Sequence, residues 1–156
     1  MDKIKYLVMD VDGTLTDGKI YMSPSGEAMK AFNIKDGCGI HDLLIPNGII
    51  PVIITGRESA IVTNRCKELG INNVYQGVAN KIEKLKEITP HLSWVAYIGD
   101  DINDLECIVA VKNDGGIVGC PSDATNEVKK YADFVSTSRG GEGCVREFIE
   151  WLIKRK

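Results

Sequence analysis

The sequence predicts a three-layer α/β domain, a mostly parallel sheet with helices on both faces. Three observations carry that prediction. Six short runs recur at 4–9, 50–55, 73–76, 94–99, 116–119 and 133–135, with stretches of helical periodicity between them. The longer runs are continuously apolar rather than alternating, as strands covered on both faces must be. One segment, 18–32, breaks the alternation.

Taken in order, IKYLVM (4–9) ends at Asp10 and reads as a central buried strand. GKIYMSPSGEAMKAF (18–32) holds two strand-like stretches about a Pro-Ser-Gly turn, which predicts a β-hairpin flap leaving the sheet directly after the first strand. IPVIIT (50–55) is the next strand, and 59–69 reads as a helix. NVYQ (73–76) is followed by a helix at 81–88, and WVAYIG, GIVG and DFV supply three further strands. A last helix is expected over 142–154, where Val145, Phe148, Ile149 and Leu152 fall at three- and four-residue spacings and basic residues close the end. No repeat or linker interrupts the 156 residues, so one domain spanning 1–156 is expected.

Composition narrows the function. A net charge of −3, with basic residues scattered along the chain, leaves no electrostatic footprint for nucleic acid or an anionic membrane. Apolar stretches such as IIPVII fall far short of the roughly 18 residues that a spanning helix needs. The run after Lys3 and Lys5 is too short for a signal peptide, so a cytoplasmic location is expected. Five cysteines with no C-x-x-C pair suggest free thiols in a reducing compartment rather than disulfides or a zinc site. His41 and His91 lack ligand spacing and read as ordinary surface or helix residues.

The chemistry lies in the acids. In DVDGTLTDG (10–18), Asp10 and Asp12 are two residues apart in extended chain and share one side, while Val11 faces the packing. Gly13 then lets the chain turn. A second cluster, GDDIND (99–104), follows another apolar run, so Asp10, Asp12, Asp100, Asp101 and Asp104 are expected at one mouth, where the strands' C-terminal ends bind ligands. Carboxylates so close repel unless a cation is present, and an all-oxygen donor set suits Mg²⁺. Asp101 or Asn103 could instead cap the following helix. Thr55-Gly56 offers a hydroxyl and amides to an anion, and Lys81, opening a helix, could neutralise a phosphoryl oxygen. Arg57 and Arg65, eight residues apart on one predicted helix, could reach one pocket, and a guanidinium fork suits a carboxylate.

These four features, in order, resemble the motifs of the haloacid dehalogenase superfamily of phosphohydrolases: DVDGT, Thr55, Lys81 and GDDIND. The similarity continues in LTDGKIYMSPSGEAMKAFNIKDGCGI, ITGRESAIVTNRCKELGI, VYQGVANK and RGGEGCVRE, and so covers nearly the whole chain. It points to the capless subgroup acting on phosphorylated keto-deoxy sugar acids. The resemblance implies a Rossmann-like fold and a Mg²⁺-dependent phosphomonoester hydrolase. In it Asp10 is the nucleophile that forms an aspartyl-phosphate, and Asp12 is the proton donor and then the base. Mg²⁺ is held by Asp10, the Asp12 backbone carbonyl and Asp100. Thr55, Gly56 and Lys81 bind phosphate, Arg57 and Arg65 the sugar acid, and Asp101 and Asp104 orient ligands or Lys81.

TGR and NRC resemble the octulosonate branch, which implies 3-deoxy-D-manno-octulosonate (KDO) 8-phosphate, a lipopolysaccharide precursor, as substrate. A nononate 9-phosphate is the alternative, although that branch carries an acid after TG. Two other readings stay open. A receiver domain combines the same residue types, but its acceptor Asp ends the third strand and NVYQ has none. A non-catalytic scaffold, like the domain fused to acylneuraminate cytidylyltransferases, would not need every motif residue. Only 12–55 and 55–81 could admit a cap, and the core's own elements fill both gaps. The expectation is therefore a homo-oligomer, a tetramer by resemblance, in which a neighbour's hairpin closes the site. RGGEGCVRE resembles a segment near a neighbour's site, with Glu142 and Cys144 as departures and little tail beyond.

Overall fold

The computed structural model describes residues 3–155. Strands β1 (Tyr6–Met9), β4 (Ile50–Ile54), β5 (Asn73–Tyr75), β6 (Val95–Ile98), β7 (Ile117–Cys120) and β8 (Phe134–Val135) form one sheet in the order β5-β4-β1-β6-β7-β8. Every pairing in it is parallel. β1 lies in the middle, with Met9 between Ile53 and Ile98.

Alternation along these strands splits the core into two layers. Leu7, Met9, Ile53, Ala96 and Ile98 pack with Val62 and Cys66 of α2 (Ala60–Leu69) and with Val145, Phe148 and Ile149 of α6 (Cys144–Lys154). Val8, Val52, Ile54, Val95 and Tyr97 face the other way, onto Leu85 of α3 (Lys81–Ile88), Ile108 and Val111 of α4 (Leu105–Asn113) and Val128 of α5 (Asn126–Tyr131). The expected sheet between two helical layers is present.

The flap is present as well. β2 (Tyr21–Ser23) and β3 (Gly26–Met29) form an antiparallel hairpin apart from the main sheet. It carries exposed apolar side chains, with Ile20, Met22 and Met29 each more than half exposed. Among the described residues no cap domain is inserted, and no helix is long and apolar enough to cross a membrane.

Sequence patterning leaves three helical segments without bounds. Residues 34–47, which are α1 (Ile34–Cys38) followed by a π turn and a 3₁₀ turn, are broken by Gly37, Gly39 and Pro46. In α4 the β-branched Ile108, Val109 and Val111 look like a strand until tertiary packing decides. α5 is only six residues long. α6 begins at Cys144 rather than at Glu142, because Gly143 precedes it with φ +108°. Cys66, Cys107, Cys120 and Cys144 are buried thiols, and Cys38 is exposed.

Candidate active site

β1 and β6 end side by side, and each delivers an aspartate to the same edge of the sheet. Asp10, directly after β1, is 4% exposed, and its backbone N–H donates to Ile98 O at 3.1 Å. Asp100 follows β6 by two residues. Oxygens of Asp10, Asp100 and Asp104 lie within 4.8 Å of one another. Gly13 makes the approach possible, since a Cβ there would stand 2.1 Å from Asp100 Oδ2 and its φ is +88°. Thr14 Oγ1 donates to Asp100 Oδ1 at 3.3 Å.

Lys81, the first residue of α3, supplies the positive charge. Its Nζ donates to Asp10 Oδ1 and to Asp104 Oδ1, each at 2.9 Å, and its side chain is 5% exposed. Asp104 is saturated with donors: Tyr97 Oη donates to Oδ1 at 2.6 Å, and the N–H groups of Asp100 and Asp101 donate to Oδ2 at 3.1 and 3.4 Å. It therefore holds Lys81 and the turn rather than offering an open lone pair. Asp101 caps the turn Ile102–Asp104, its Oδ1 accepting from Ile102 N at 2.7 Å. The capping role left open in the sequence belongs to Asp101.

The electrostatics call for a cation. Burial, then the Asp104 charge, pushes Asp10 above the ordinary carboxylate range, although Lys81 pulls it back. Burial and the neighbouring Asp10 push Asp100 up much further. Burial opposes the Lys81 charge, but Asp10 and Asp104 outweigh it and hold the ammonium above its usual value. Burial, then Asp104, keeps Tyr97 protonated as a donor. One lysine against three carboxylates leaves the cluster short of positive charge. Asp10 and Asp100 are hard oxygen donors with oxygens not taken up by Lys81, which fits Mg²⁺.

Thr55 directly follows β4 and is 2% exposed; its N–H donates to Tyr75 O, and its carbonyl accepts from Val78 N. These bonds pin the turn that carries Gly56 and Arg57. The two arginines part company. Arg57 meets Glu27 of the flap at 3.3 Å, whereas Arg65 pairs with Glu68 and lies against Gly37 and the Phe32 ring. Asp12 is not among the converging carboxylates either; Lys30 of the flap holds its Oδ1 at 2.6 Å. Within the chain, RGGEG buttresses the loop that follows Asp10. Gly141 N donates to Thr14 O, and a Cβ at Gly140 would stand 1.9 Å from Gly13 O.

Lys30, Glu27, Tyr97 and Ser59 escape the sequence reading. Tyr97 sits inside an apolar run and looks like core, while Lys30 and Glu27 look like solvated hairpin residues. Only their place within GEAMKAF, part of a stretch that carries the resemblance, could have singled out Lys30 and Glu27.

A parallel sheet with Asp10, Thr55, Lys81 and Asp100 at its carboxyl edge defines a phosphohydrolase of the haloacid dehalogenase superfamily. A putatively named hydrolase of that superfamily from Legionella pneumophila superposes with a TM-score of 0.87 at 36% identity, over 97% of this chain and 83% of that one. A 3-deoxy-D-manno-octulosonate 8-phosphate phosphatase from Salmonella typhi is 40% identical over 97% of this chain and 80% of its own length. The Moraxella catarrhalis phosphatase of that name, solved with magnesium, phosphate and KDO, gives a TM-score of 0.91 at 39% identity, covering 99% of this chain and 88% of that one. The same phosphatase from Haemophilus influenzae, solved with cobalt, gives 0.88 at 33%, over 98% and 88%. The chain belongs to the family of KDO 8-phosphate phosphatases. No family model matches it.

Proposed function

We propose that the protein hydrolyses KDO 8-phosphate to KDO and phosphate. The observation that carries this reading is the buried Asp10–Lys81–Asp104 arrangement beside Asp100, in which one carboxylate is held by an ammonium on Oδ1 alone. The names of the relatives supply the substrate.

An oxygen of Asp10 attacks phosphorus in line, and the bond from phosphorus to the sugar oxygen breaks. Asp12 gives its proton to the leaving oxygen and later takes one from the water that adds to the aspartyl-phosphate, which restores Asp10 and frees phosphate. Lys81 neutralises charge on the phosphoryl oxygens, Thr55 and the Gly56 amide donate hydrogen bonds to them, and Asp104 holds Lys81 in place. Asp10, Asp100 and the Asp12 carbonyl would hold Mg²⁺, which when bound offsets charge on the phosphoryl group. Asp101 keeps the Asp104 turn. Arg57 takes the sugar carboxylate from the flap side, and Arg65, at the base of the flap, is the second guanidinium.

The exposed apolar flap supports assembly into a homotetramer in which a neighbour's hairpin excludes water. A fully active monomer in sedimentation would overturn that part. The assay for the whole reading is phosphate release from KDO 8-phosphate with Mg²⁺ and after chelation, set beside a nononate 9-phosphate. Steady release that is lost on chelation and is faster for the octulosonate is expected; no release from KDO 8-phosphate would sink it.

A further inference from the structure

Among the described residues, no element of the sheet holds the side chain of the proposed acid/base, Asp12; its partner comes from the flap. Lys30 Nζ lies 2.6 Å from Asp12 Oδ1 and 3.1 Å from Glu27 Oε2, with only 3% of its side chain exposed. Glu27 is anchored in turn. Ser59 Oγ donates to its Oε1 at 2.7 Å, and Arg57 lies 3.3 Å from its Oε2. A buried ammonium needs partners, and this one has two carboxylates, one of them fixed to the start of α2.

We propose that Lys30 is a positioning residue for the reaction and that Glu27 is its anchor. By occupying Oδ1, Lys30 fixes the rotamer of Asp12 and leaves Oδ2 as the oxygen that exchanges a proton with the leaving group and later with water. Glu27, shared with Arg57, offsets part of the Lys30 charge and fixes the ammonium against Asp12. The flap thereby sets the acid/base as well as covering the site. This inference rests on the role given to Asp12 above.

The test uses leaving groups. An alkoxide must be protonated as it departs, whereas p-nitrophenolate leaves unaided, so a misplaced Asp12 slows phosphoryl transfer from sugar esters alone, while the water step it also serves is common to both. Lys30→Met should lower kcat on KDO 8-phosphate about 30-fold, a part of the roughly 10²–10⁴-fold that a positioned acid supplies. The pre-steady-state burst of p-nitrophenolate, which precedes the water step, should keep its rate within about threefold, and Lys30→Arg should recover part of the loss on the sugar ester. Added to Asp12→Asn, Lys30→Met should cost nothing further on the sugar ester, since two residues acting as a unit do not add. A p-nitrophenolate burst slowed as much as turnover of the sugar ester, or additive losses, would overturn the inference and assign Lys30 to flap structure alone. If the wild type cleaves p-nitrophenyl phosphate but not KDO 8-phosphate, the substrate reading fails separately, and the contrast is read on whichever sugar phosphate the wild type does turn over.

Discussion

The site has two halves built on different physics. The sheet half, with Asp10, Thr55 and Asp100 after strand ends and Lys81 at the start of α3, hangs on elements fixed by backbone ladders and by a core whose side chains are almost wholly buried. The flap half, Lys30, Glu27 and Arg57, hangs on a two-stranded hairpin, which is at best marginal alone. Polar side-chain contacts do for the flap what packing does for the sheet. The sheet half should therefore tolerate loss of a charge without moving, and the flap half should not.

The largest expected effect is on the sheet side. Asp10→Asn should reduce turnover by about 10⁴-fold or more. The unfolding midpoint should hold or rise, because one buried carboxylate charge is gone. A fall of many degrees would mean that the two halves do not differ as argued.

Metal comes next. Without a cation, Asp10 and Asp100 hold protons that the unfolded chain releases near pH 4, so the folded state binds more protons than the unfolded one. Stability of the metal-free protein should therefore fall as pH rises from about 4 toward about 9, the value to which Asp100 is pushed. Mg²⁺ should reverse that slope. At about 100 times its Kd it adds roughly 2.7 kcal/mol, a rise of several degrees in Tm. Asp100→Asn should abolish the rise in a thermal melt, whereas Lys30→Met should keep it. Loss of the Mg²⁺ response in Lys30→Met would join the halves into one unit.

On the flap side, Arg57→Ala should raise KM for KDO 8-phosphate about tenfold, the worth of one charged hydrogen bond, and change kcat less. A neutral sugar phosphate should show no KM change. Equal effects on both would make Arg57 a tether for Glu27 and not a carboxylate ligand.

What could be read in the sequence follows the same division. Residues that depend on chain geometry are spelled locally: Asp10 follows an apolar run, Gly13 permits a turn, and Lys81 opens a helix after Asn80, which caps it. The three-layer fold is likewise legible, because parallel strands buried on both faces must be apolar throughout. Tyr97 is not legible, because a hydroxyl that reaches Asp104 looks like core until β6 and the following turn are set together. Nor is Lys30, whose meaning arises from a contact across 18 residues of chain with Asp12. Arg57 and Arg65 show the limit of helical arithmetic: α2 starts only at Ala60, so Arg57 precedes the helix and the two do not share its periodicity.

The smallest effect gives the sharpest test, because Ser59 serves both halves with one atom. Its Oγ accepts from Ile61 N at 3.2 Å, capping α2, and donates to Glu27 Oε1 at 2.7 Å, holding the flap. Ser59→Ala removes both and should cost about 1 kcal/mol in urea unfolding, the usual worth of a cap. Ser59→Asp separates them. An aspartate caps as well as serine does, so global stability should stay within about 0.5 kcal/mol of wild type. It has no proton to give Glu27, however, and sets a like charge against it. Hydrogen exchange at β2 and β3 amides should then quicken about tenfold while the amides of β1, β4 and β6 stay protected, as expected of a low-stability unit opening alone. Flap amides that exchange as slowly in Ser59→Asp as in wild type would show that the hairpin is held by its apolar contacts, and the distinction between a packed half and a tethered half would be lost.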